Sequence, residues 1–282
     1  VLRILDRSAV SLNLEKLGFS KPELETFQKL IRKPYGMILL TGPTGSGKTT
    51  TLYSALSEIK SGDKNITTIE DPVEYQINGI NQVQIKPSIG LTFASGLRAF
   101  LRQDPDVMLV GEIRDLETAQ ICIRAALTGH LVFSTLHTND APTAVSRLVD
   151  IGIEPFFVSS SLLMVAAQRL VRKLCPKCRK AYKAAGAHLP KNFKLETDTL
   201  YEAKGCEECS NTGYRGRMAI FEIMIVNEAI EDLIFKRASM AEIKAVARKN
   251  GMRTLEESGY EKVNLGETSL DEVLRVTMGA GT

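Results

Sequence analysis

Between residues 36 and 150, short apolar runs alternate with longer stretches in which apolar residues recur every three or four positions. The short runs, such as GMILL and HLVFSTL, have the length and composition of buried strands. The longer stretches have the period of amphipathic helices. This alternation predicts a mostly parallel α/β sheet. In such sheets ligands collect at the carboxyl ends of the strands.

Helix starts are predicted where a capping side chain precedes an apolar-periodic stretch. The predicted caps are Ser20, Thr92, Asp115, Asn139 or Asp140, Asn227, Ser239 and Ser269. Residues 79–89 are interpreted as a β-hairpin or a pair of short strands. Pro155 is expected to open a helical stretch that continues to about Leu174, and helices are expected again from Met218 onward.

Composition narrows the class of protein. A hydrophobic fraction of 44% and a charged fraction of 24% are ordinary for a soluble globular protein. A net charge of +3 is too small to argue for nucleic acid or an anionic membrane as a partner. No apolar run approaches the ~20 residues of a membrane span, and no signal peptide is visible. Because the chain opens directly on VLRIL, we expect it to be a fragment of a longer protein.

Residues 42–49 read GPTGSGKT and fit the phosphate-binding pattern G-x-x-x-x-G-K-[ST] at every fixed position. A strand-type run precedes them and a helical pattern follows, which argues against a chance glycine loop. Backbone N–H groups of such a loop point at phosphate oxygens, and the helix dipole adds to the attraction. Lys48 is expected to reach the β- and γ-phosphates, and the Thr49 hydroxyl to ligate Mg²⁺. The expected nucleotide-binding residues are Gly42, Pro43, Thr44, Gly45, Ser46, Gly47, Lys48, Thr49 and Thr50.

Glu112 ends the buried run DVMLVGE, which resembles a Walker B element. The acid that usually ends that strand and positions Mg²⁺ is replaced by Gly111. Glu112 is interpreted as the carboxylate that orients or deprotonates the attacking water. The alternative is a structural glutamate that caps a helix or pairs with Arg114.

Four further residues fall at the ends of predicted strands. Glu70 and Asp71 follow a β-branched run, where they suit metal and water positioning, or else form only a turn before a proline. His130 and His137 bracket another strand, and only His137 lies at the carboxyl end. From the residues alone, His137 is the better candidate for a catalytic role, and His130 is as well explained as a structural histidine.

Arg98 and Arg102 lie one turn apart on a predicted helix. They could form a solvated helix face. Alternatively, they stabilise phosphoryl-transfer charge, in their own subunit or across a subunit interface. The residues alone leave these alternatives open.

The sequences CPKC and CEEC place Cys175, Cys178, Cys206 and Cys209 in two C-x-x-C pairs. Two such pairs predict a tetrahedral, structural Zn²⁺ site, because four thiolates leave no open position for catalysis. The alternative, disulfide bonding, requires an oxidising compartment, whereas an NTPase belongs where ATP is abundant. Cys122 lies on an apolar helix face and is interpreted as a core residue.

Taken together, GPTGSGKTT, TIEDPVEY, LRQDPDVMLVGEIRD, TGHLVFSTLHTND, AQRLVRKLCPKC and GYRGR resemble the secretion ATPase superfamily. The resemblance is to its GspE/PilB branch, the assembly ATPases of type II secretion and type IV pili. It covers nearly the whole chain. The four cysteines separate the chain from retraction ATPases of the PilT kind.

The resemblance implies a fold, site residues and partners. The fold is an α/β RecA-like P-loop NTPase core with a parallel sheet, a small tetracysteine zinc module and a C-terminal helical subdomain. The cofactors are ATP, magnesium and zinc. The implied partners are five more copies in a hexameric ring, an inner-membrane platform protein and a membrane-anchored docking protein bound through missing N-terminal domains. The ring works on the cytoplasmic face of the inner membrane, touching the membrane only through its partners.

The implied roles are assigned by motif position. They are a catalytic glutamate (Glu112), an Asp-box acid (Glu70), His-box residues (His130 and His137), arginines that sense the γ-phosphate (Arg98 and Arg102), and an arginine of the preceding domain that reaches the nucleotide (Arg3). The expected domains are 1–12, the end of that preceding domain; 13–171, the ATPase core; 172–217, the zinc module; and 218–282, the helical subdomain.

The leading hypothesis is an ATP-driven motor for pseudopilus or pilus assembly. A second hypothesis is a nucleotide-binding scaffold, stabilised by a structural zinc site, that recruits partners without productive turnover of ATP. A nucleic-acid translocase is disfavoured by the charge of +3 and by the lack of aromatic–basic clustering.

Overall fold

A seven-stranded sheet forms the centre of the protein in the computed structural model, which describes residues 12–184 and 189–278. The strands of the chain are β1 (Gly36–Thr41), β2 (Ile66–Glu70), β3 (Asn81–Gln84), β4 (Val107–Val110), β5 (Leu131–Leu136), β6 (Leu162–Leu174), β7 (Lys180–Lys183), β8 (Thr199–Glu202) and β9 (Tyr214–Ile225). The order in the large sheet is β3-β2-β4-β5-β1-β6-β9, and β7 pairs with β8 separately. Every pairing in the large sheet is parallel except that of β6 with β9. The predicted α/β fold with a mostly parallel sheet is confirmed.

Helices cover both faces of this sheet. They are α1 (Lys21–Leu30), α2 (Lys48–Ile59), α3 (Phe93–Phe100), α4 (Leu116–Leu127), α5 (Ala141–Asp150), α6 (Pro155–Ser161), α7 (Glu228–Phe235), α8 (Met240–Lys249), α9 (Leu255–Asn264) and α10 (Leu270–Met278). Met37 and Leu39 of β1 belong to the core that includes α3, α4 and α5. Ile38 and Leu40 belong to the core that includes α1 and α2. Because successive strand residues face opposite cores, the strand is apolar throughout. Among the described residues, no helix has the length and apolar content of a membrane span.

The helical stretch expected from Pro155 to about Leu174 is wrong. Helix α6 ends at Ser161, and the 13-residue strand β6 follows at once. β6 lies between β1 and β9, so backbone partners on both edges and apolar neighbours on both faces satisfy it. A strand buried in this way shows no alternation of apolar and polar residues, and its sequence resembles that of a buried helix.

Two other expectations are also corrected. The region of residues 79–89 holds only one strand, β3, which pairs in parallel with β2, followed by a short 3₁₀ turn at Pro87–Ile89. The chain from Met218 is strand β9 before it is helical, because it completes the sheet against β6. The predicted caps Thr92, Asp115, Asp140, Asn227 and Ser239 each accept a hydrogen bond from a first-turn N–H group, as predicted.

Helices α9 and α10 pack against β6. The buried carboxylate of Glu272 on α10 accepts hydrogen bonds from the Arg172 side chain at 2.6 Å and the Arg172 backbone N–H at 3.0 Å. Arg275 donates to the same carboxylate at 2.7 and 2.8 Å. The boundaries expected between residues 171 and 172 and between 217 and 218 fall inside β6 and β9. The division into domains stays a prediction.

Glu272 makes the stability of the fold depend on pH. Burial alone raises the pKa of its carboxyl, but the hydrogen bonds from Arg275 and Arg172 prevail and lower it to about 2. A depressed folded-state pKa stabilises the fold above the ordinary value of 4.5, and this contribution is lost as pH falls toward 2. We expect wild type to be more stable than Glu272→Gln at pH 7, by at most about 3 kcal/mol.

Urea unfolding of both proteins between pH 7 and pH 3 measures this contribution. The difference between their free energies of unfolding should narrow below pH 4.5, because protonation removes the charge that the variant lacks already. Effects common to both proteins cancel in the difference. A difference that stays constant over this range contradicts the assignment.

Candidate functional site

The phosphate-loop sequence joins β1 to α2, as its flanking patterns predict. Gly45 and Gly47 have φ values of +81° and +89°, in the left-handed region that favours glycine. Nζ of Lys48, the first residue of α2, donates to the carbonyls of Gly42 at 2.7 Å and Pro43 at 3.1 Å. Burial lowers the pKa of Lys48, and the negative charge of Glu112 opposes that shift. A buried cation at a helix N-terminus attracts an anion.

A cavity of about 560 Å³ opens beside this loop, at the carboxyl ends of β1, β2, β4 and β5. It brings together most of the residues that the sequence singled out: Thr44, Gly45, Ser46, Gly47, Lys48, Thr49, Thr50, Glu70, Asp71, Glu112 and His137. Residues of the phosphate loop and the acidic residues line the same space. This arrangement suits a phosphorylated ligand accompanied by a divalent cation.

Glu112 lies two residues beyond β4, and its side chain is 15% exposed. One carboxylate oxygen accepts a hydrogen bond from Arg114, and the other lies 3.2 Å from Nε2 of His137. Burial alone raises the pKa of Glu112, but the hydrogen bond and charge of Arg114, together with His137, prevail and lower it. The carboxylate is therefore ionised at neutral pH and held between two partners. Both roles that the sequence suggests for Glu112, water activation and ion pairing, fit this geometry. The catalytic role of Glu112 stays a prediction.

Glu70, the last residue of β2, is 4% exposed. Its carboxylate accepts hydrogen bonds from Tyr53, from Thr68 at 2.5 Å and from Gln82 at 3.3 Å. Burial and the hydrogen bond to Glu70 raise the pKa of Tyr53, which therefore remains a donor. Three protein donors thus fix Glu70 at the cavity wall. The sequence did not indicate these partners, because they come from α2, β2 and β3.

Three predicted catalytic residues do not line this cavity, and neither do Gly42 and Pro43 of the loop. His130 lies at the opposite end of β5, where Nδ1 is 3.0 Å from the carbonyl of Ala125 at the end of α4. Arg98 pairs with Glu117, and both side chains are at least half exposed. Arg102 follows α3 at the surface. Their roles in catalysis stay predictions, and Arg3 lies outside the described residues.

Arg217 is a cavity residue that the sequence reasoning missed. It belongs to β9, which pairs antiparallel with β6, and it adds a cation to the cavity lining. Its position depends on a strand that the apolar pattern did not predict. The available signal was the quoted motif GYRGR, which contains this residue.

The four cysteines of the C-x-x-C pairs come together as predicted. All four Sγ atoms lie within 4.8 Å of one another. The separations are 3.9 Å for Cys175–Cys206, 3.8 Å for Cys178–Cys209 and 3.7 Å for Cys206–Cys209. Zn–S bonds of about 2.3 Å in a regular tetrahedron place the sulfurs about 3.8 Å apart. The cluster is therefore compatible with zinc, and its spacings are too long for disulfides.

Backbone donors favour the thiolate form that a metal needs. The N–H groups of Cys206 and Gly213 both lie 3.2 Å from Sγ of Cys209. Burial alone raises the pKa of this thiol, but these two hydrogen bonds help to lower it to about 6. Cys122, by contrast, is fully buried on α4, where burial raises its pKa to about 12, as expected for a core residue.

Comparison with known proteins finds a matching family and close relatives of this chain. Residues 1–275 match the family described as "Type II/IV secretion system protein". The chain is 53% identical over 280 residues to the "Type IV pilus assembly ATPase PilB" of Myxococcus xanthus, covering 97% of this chain and 49% of that protein. It is 52% identical over 279 residues to the "Type II secretion system ATPase E" of Vibrio cholerae, covering 98% and 55%. The chain thus spans about half the length of these relatives.

Among solved structures, the fold resembles that of the pilus retraction motor PilT with bound ADP. The TM-score is 0.69 and the sequence identity 32%, over 93% of this chain and 66% of that chain. The ADP in that structure is a property of PilT. The match supports the ATPase-core fold that the sequence resemblance implies.

Zinc removal tests the cysteine cluster. We expect one zinc per chain, and we expect Cys178→Ser and Cys209→Ser to lose it, together with several kcal/mol of stability, because structural zinc supplies about 10–16 kcal/mol. Metal analysis and thermal unfolding measure both effects. Cys122→Ala is the matched control and should keep its zinc. Full zinc content in the two serine variants contradicts the site.

Proposed function

The chain belongs to the Type II/IV secretion system protein family, and on that premise we propose that it is the ATP-hydrolysing part of a motor for pseudopilus or type IV pilus assembly. The observation that carries the proposal is the cavity that joins Lys48 and Thr49 to Glu112 and His137. Binding alone requires only the phosphate loop. Glu112, just beyond the end of β4, adds an ionised carboxylate that can take part in hydrolysis.

Each residue has a defined task in this proposal. Lys48 would leave its carbonyl partners to contact the β- and γ-phosphates, and the Thr49 hydroxyl would hold magnesium, which supplies positive charge against the phosphates. Glu112 orients the attacking water and accepts its proton. His137 and Arg114 hold the Glu112 carboxylate in place, and Glu70 lines the same cavity, where it would help to hold the metal. Gly42, Gly45 and Gly47 shape the loop, and Thr50 lies in the first turn of α2.

Lys48→Ala and Glu112→Gln separate the motor from the scaffold hypothesis. We expect Lys48→Ala to lose ATP binding. We expect Glu112→Gln to bind ATP but to hydrolyse it about 100- to 10,000-fold more slowly, since the amide cannot act as a base. Calorimetry and phosphate release measure the two properties, and Glu25→Gln on the exposed face of α1 is the control.

Assembly or secretion in cells completes the test. A Glu112→Gln variant that binds ATP and still supports assembly contradicts the motor and favours the scaffold. Wild-type protein that binds no nucleotide contradicts both hypotheses.

The proposal extends to the assembly of the whole protein. We infer that six copies form a ring on the cytoplasmic face of the inner membrane and act on a platform protein. Two relatives, a pilus assembly ATPase and a secretion ATPase, support a role in such machinery. The docking contacts would lie in the part of the relatives' length that this chain does not span.

Arg98 supports a site shared between copies. It lies at the surface, paired with Glu117, and does not line the cavity of its own chain. An exposed arginine near a phosphate site can reach the nucleotide of a neighbouring copy, where it contributes about 1,000-fold or more to the rate. Arg102 follows it at the same surface.

Mixing two inactive variants tests this arrangement. Arg98→Ala lacks the arginine, and Lys48→Ala lacks the phosphate contact. In a ring mixed at random, about a quarter of the interfaces join an intact Lys48 to an intact Arg98. We expect the mixture to recover about that fraction of wild-type hydrolysis. Arg98→Ala mixed with the double variant Lys48→Ala/Arg98→Ala should recover nothing. An inactive first mixture contradicts action across the interface.

A further inference from the structure

One buried amide lies directly behind the phosphate loop. Gln168 on β6 is 1% exposed and does not line the cavity. Its Nε2 donates to the carbonyl of Ser46 at 2.9 Å, and its Oε1 accepts from the hydroxyl of Thr51 at 2.9 Å. Thr51 is itself 1% exposed and lies in the first turn of α2. The amide therefore joins the last turn of the loop to the start of the helix.

The bond to Ser46 fixes the direction of a peptide unit. The peptide between residues 46 and 47 is trans, so the Ser46 carbonyl and the Gly47 N–H point in opposite directions. Because the carbonyl points at Gln168, the N–H points away from Gln168. Gly47 is one of the residues that line the cavity. A donor on the far side of the loop thus determines which way this N–H group faces.

Glycine makes such an anchor necessary. Gly47 has a φ of +89°, and a Cβ there would lie 2.8 Å from Nε2 of Gln168. A Cβ at Gly42 would lie 2.5 Å from the backbone oxygen of Gln168. The close approach of β6 excludes side chains at both positions. Without a Cβ, however, a glycine rotates freely between conformations, and the peptide before it has no preferred direction of its own.

We propose that Gln168 is a positioning residue that holds the 46–47 peptide so that the Gly47 N–H faces the phosphate of a bound nucleotide. The inference rests on the proposed function, because it assumes that the cavity takes a nucleoside phosphate. Gln168 touches neither the ligand nor the reacting atoms. It acts through the loop backbone, with Thr51 holding the amide in the orientation that presents Nε2 to Ser46.

Gln168→Glu tests the role of the donor with little change of shape. The carboxylate keeps an acceptor for Thr51 but removes the donor to Ser46. Losing one hydrogen bond to a charged phosphate should weaken ADP binding about 10- to 100-fold. Gln168→Met removes both functions without adding a charge, and it keeps the test valid if a buried carboxylate prevents folding. Thr51→Val should weaken ADP binding less, because the Gln168 amide loses its Thr51 partner but can still donate to Ser46.

The measurements are ADP affinity by calorimetry and the amide resonance of Gly47 by NMR. In wild type the Gly47 resonance should shift on ADP binding, and in the Gln168 variants that shift should be lost. A purely structural role would lower the melting temperature of the ligand-free protein but leave both readouts of the folded molecules unchanged. Gln120→Glu, on the exposed side of α4, is the charge-matched control.

The outcomes separate this inference from the proposed function. If wild type binds ADP, Lys48→Ala does not, and both Gln168 variants bind as wild type does, the inference is overturned and the proposed function stands. If wild type binds no ADP, the proposed function fails and the inference fails with it. Weaker binding in both Gln168 variants, with loss of the Gly47 shift, supports the positioning role.

Discussion

The parallel pairing of β1 with β5 determines where the parts of the candidate site lie. Their register sets Thr41 opposite Leu136, so the phosphate loop and the segment with His137 leave the sheet side by side. The Thr41 hydroxyl reinforces this junction, because it lies 2.9 Å from the carbonyl and 2.7 Å from the hydroxyl of Thr138. Since β4 pairs in parallel with β5, Glu112 arrives at the same edge. A shift of one residue would separate the carboxylate from its histidine partner.

Strand β6 connects the cavity to the rest of the chain. Along its length Gln168 contacts the phosphate loop, Leu170 lines the cavity and Arg172 binds the carboxylate of Glu272 on α10. The strand ends next to Cys175, whose backbone N–H donates to the carbonyl of Gly213 at 2.9 Å. One continuous strand thus passes from the nucleotide cavity to the tail helices and the cysteine cluster.

The sequence predicted the parts of the fold that depend on local chemistry. The phosphate loop, the caps at Thr92 and Asp115, and the paired cysteines each carry their signal within a few neighbouring residues. Strands β6 and β9 carry no such signal, because burial on both sides removes the alternation that marks a strand. Arg217 was missed for the same reason. The donors to Glu70 come from three separate elements, and only the packing of α2 against the sheet brings Tyr53 to that carboxylate.

The charges of the cavity explain why a phosphorylated ligand suits it. Lys48 is partly buried, and its near partners are the carbonyl oxygens of Gly42 and Pro43, which carry only partial negative charge. That environment lowers its pKa, so the ammonium form carries an unfavourable desolvation free energy. A phosphate offers full negative charge and charge-assisted hydrogen bonds in place of those carbonyls. Glu112 opposes that shift through its charge, and its carboxylate oxygens pair with Arg114 and His137 instead. Lys48 is therefore available to an anion that enters the cavity. The Glu112 carboxylate forms no pair with Lys48.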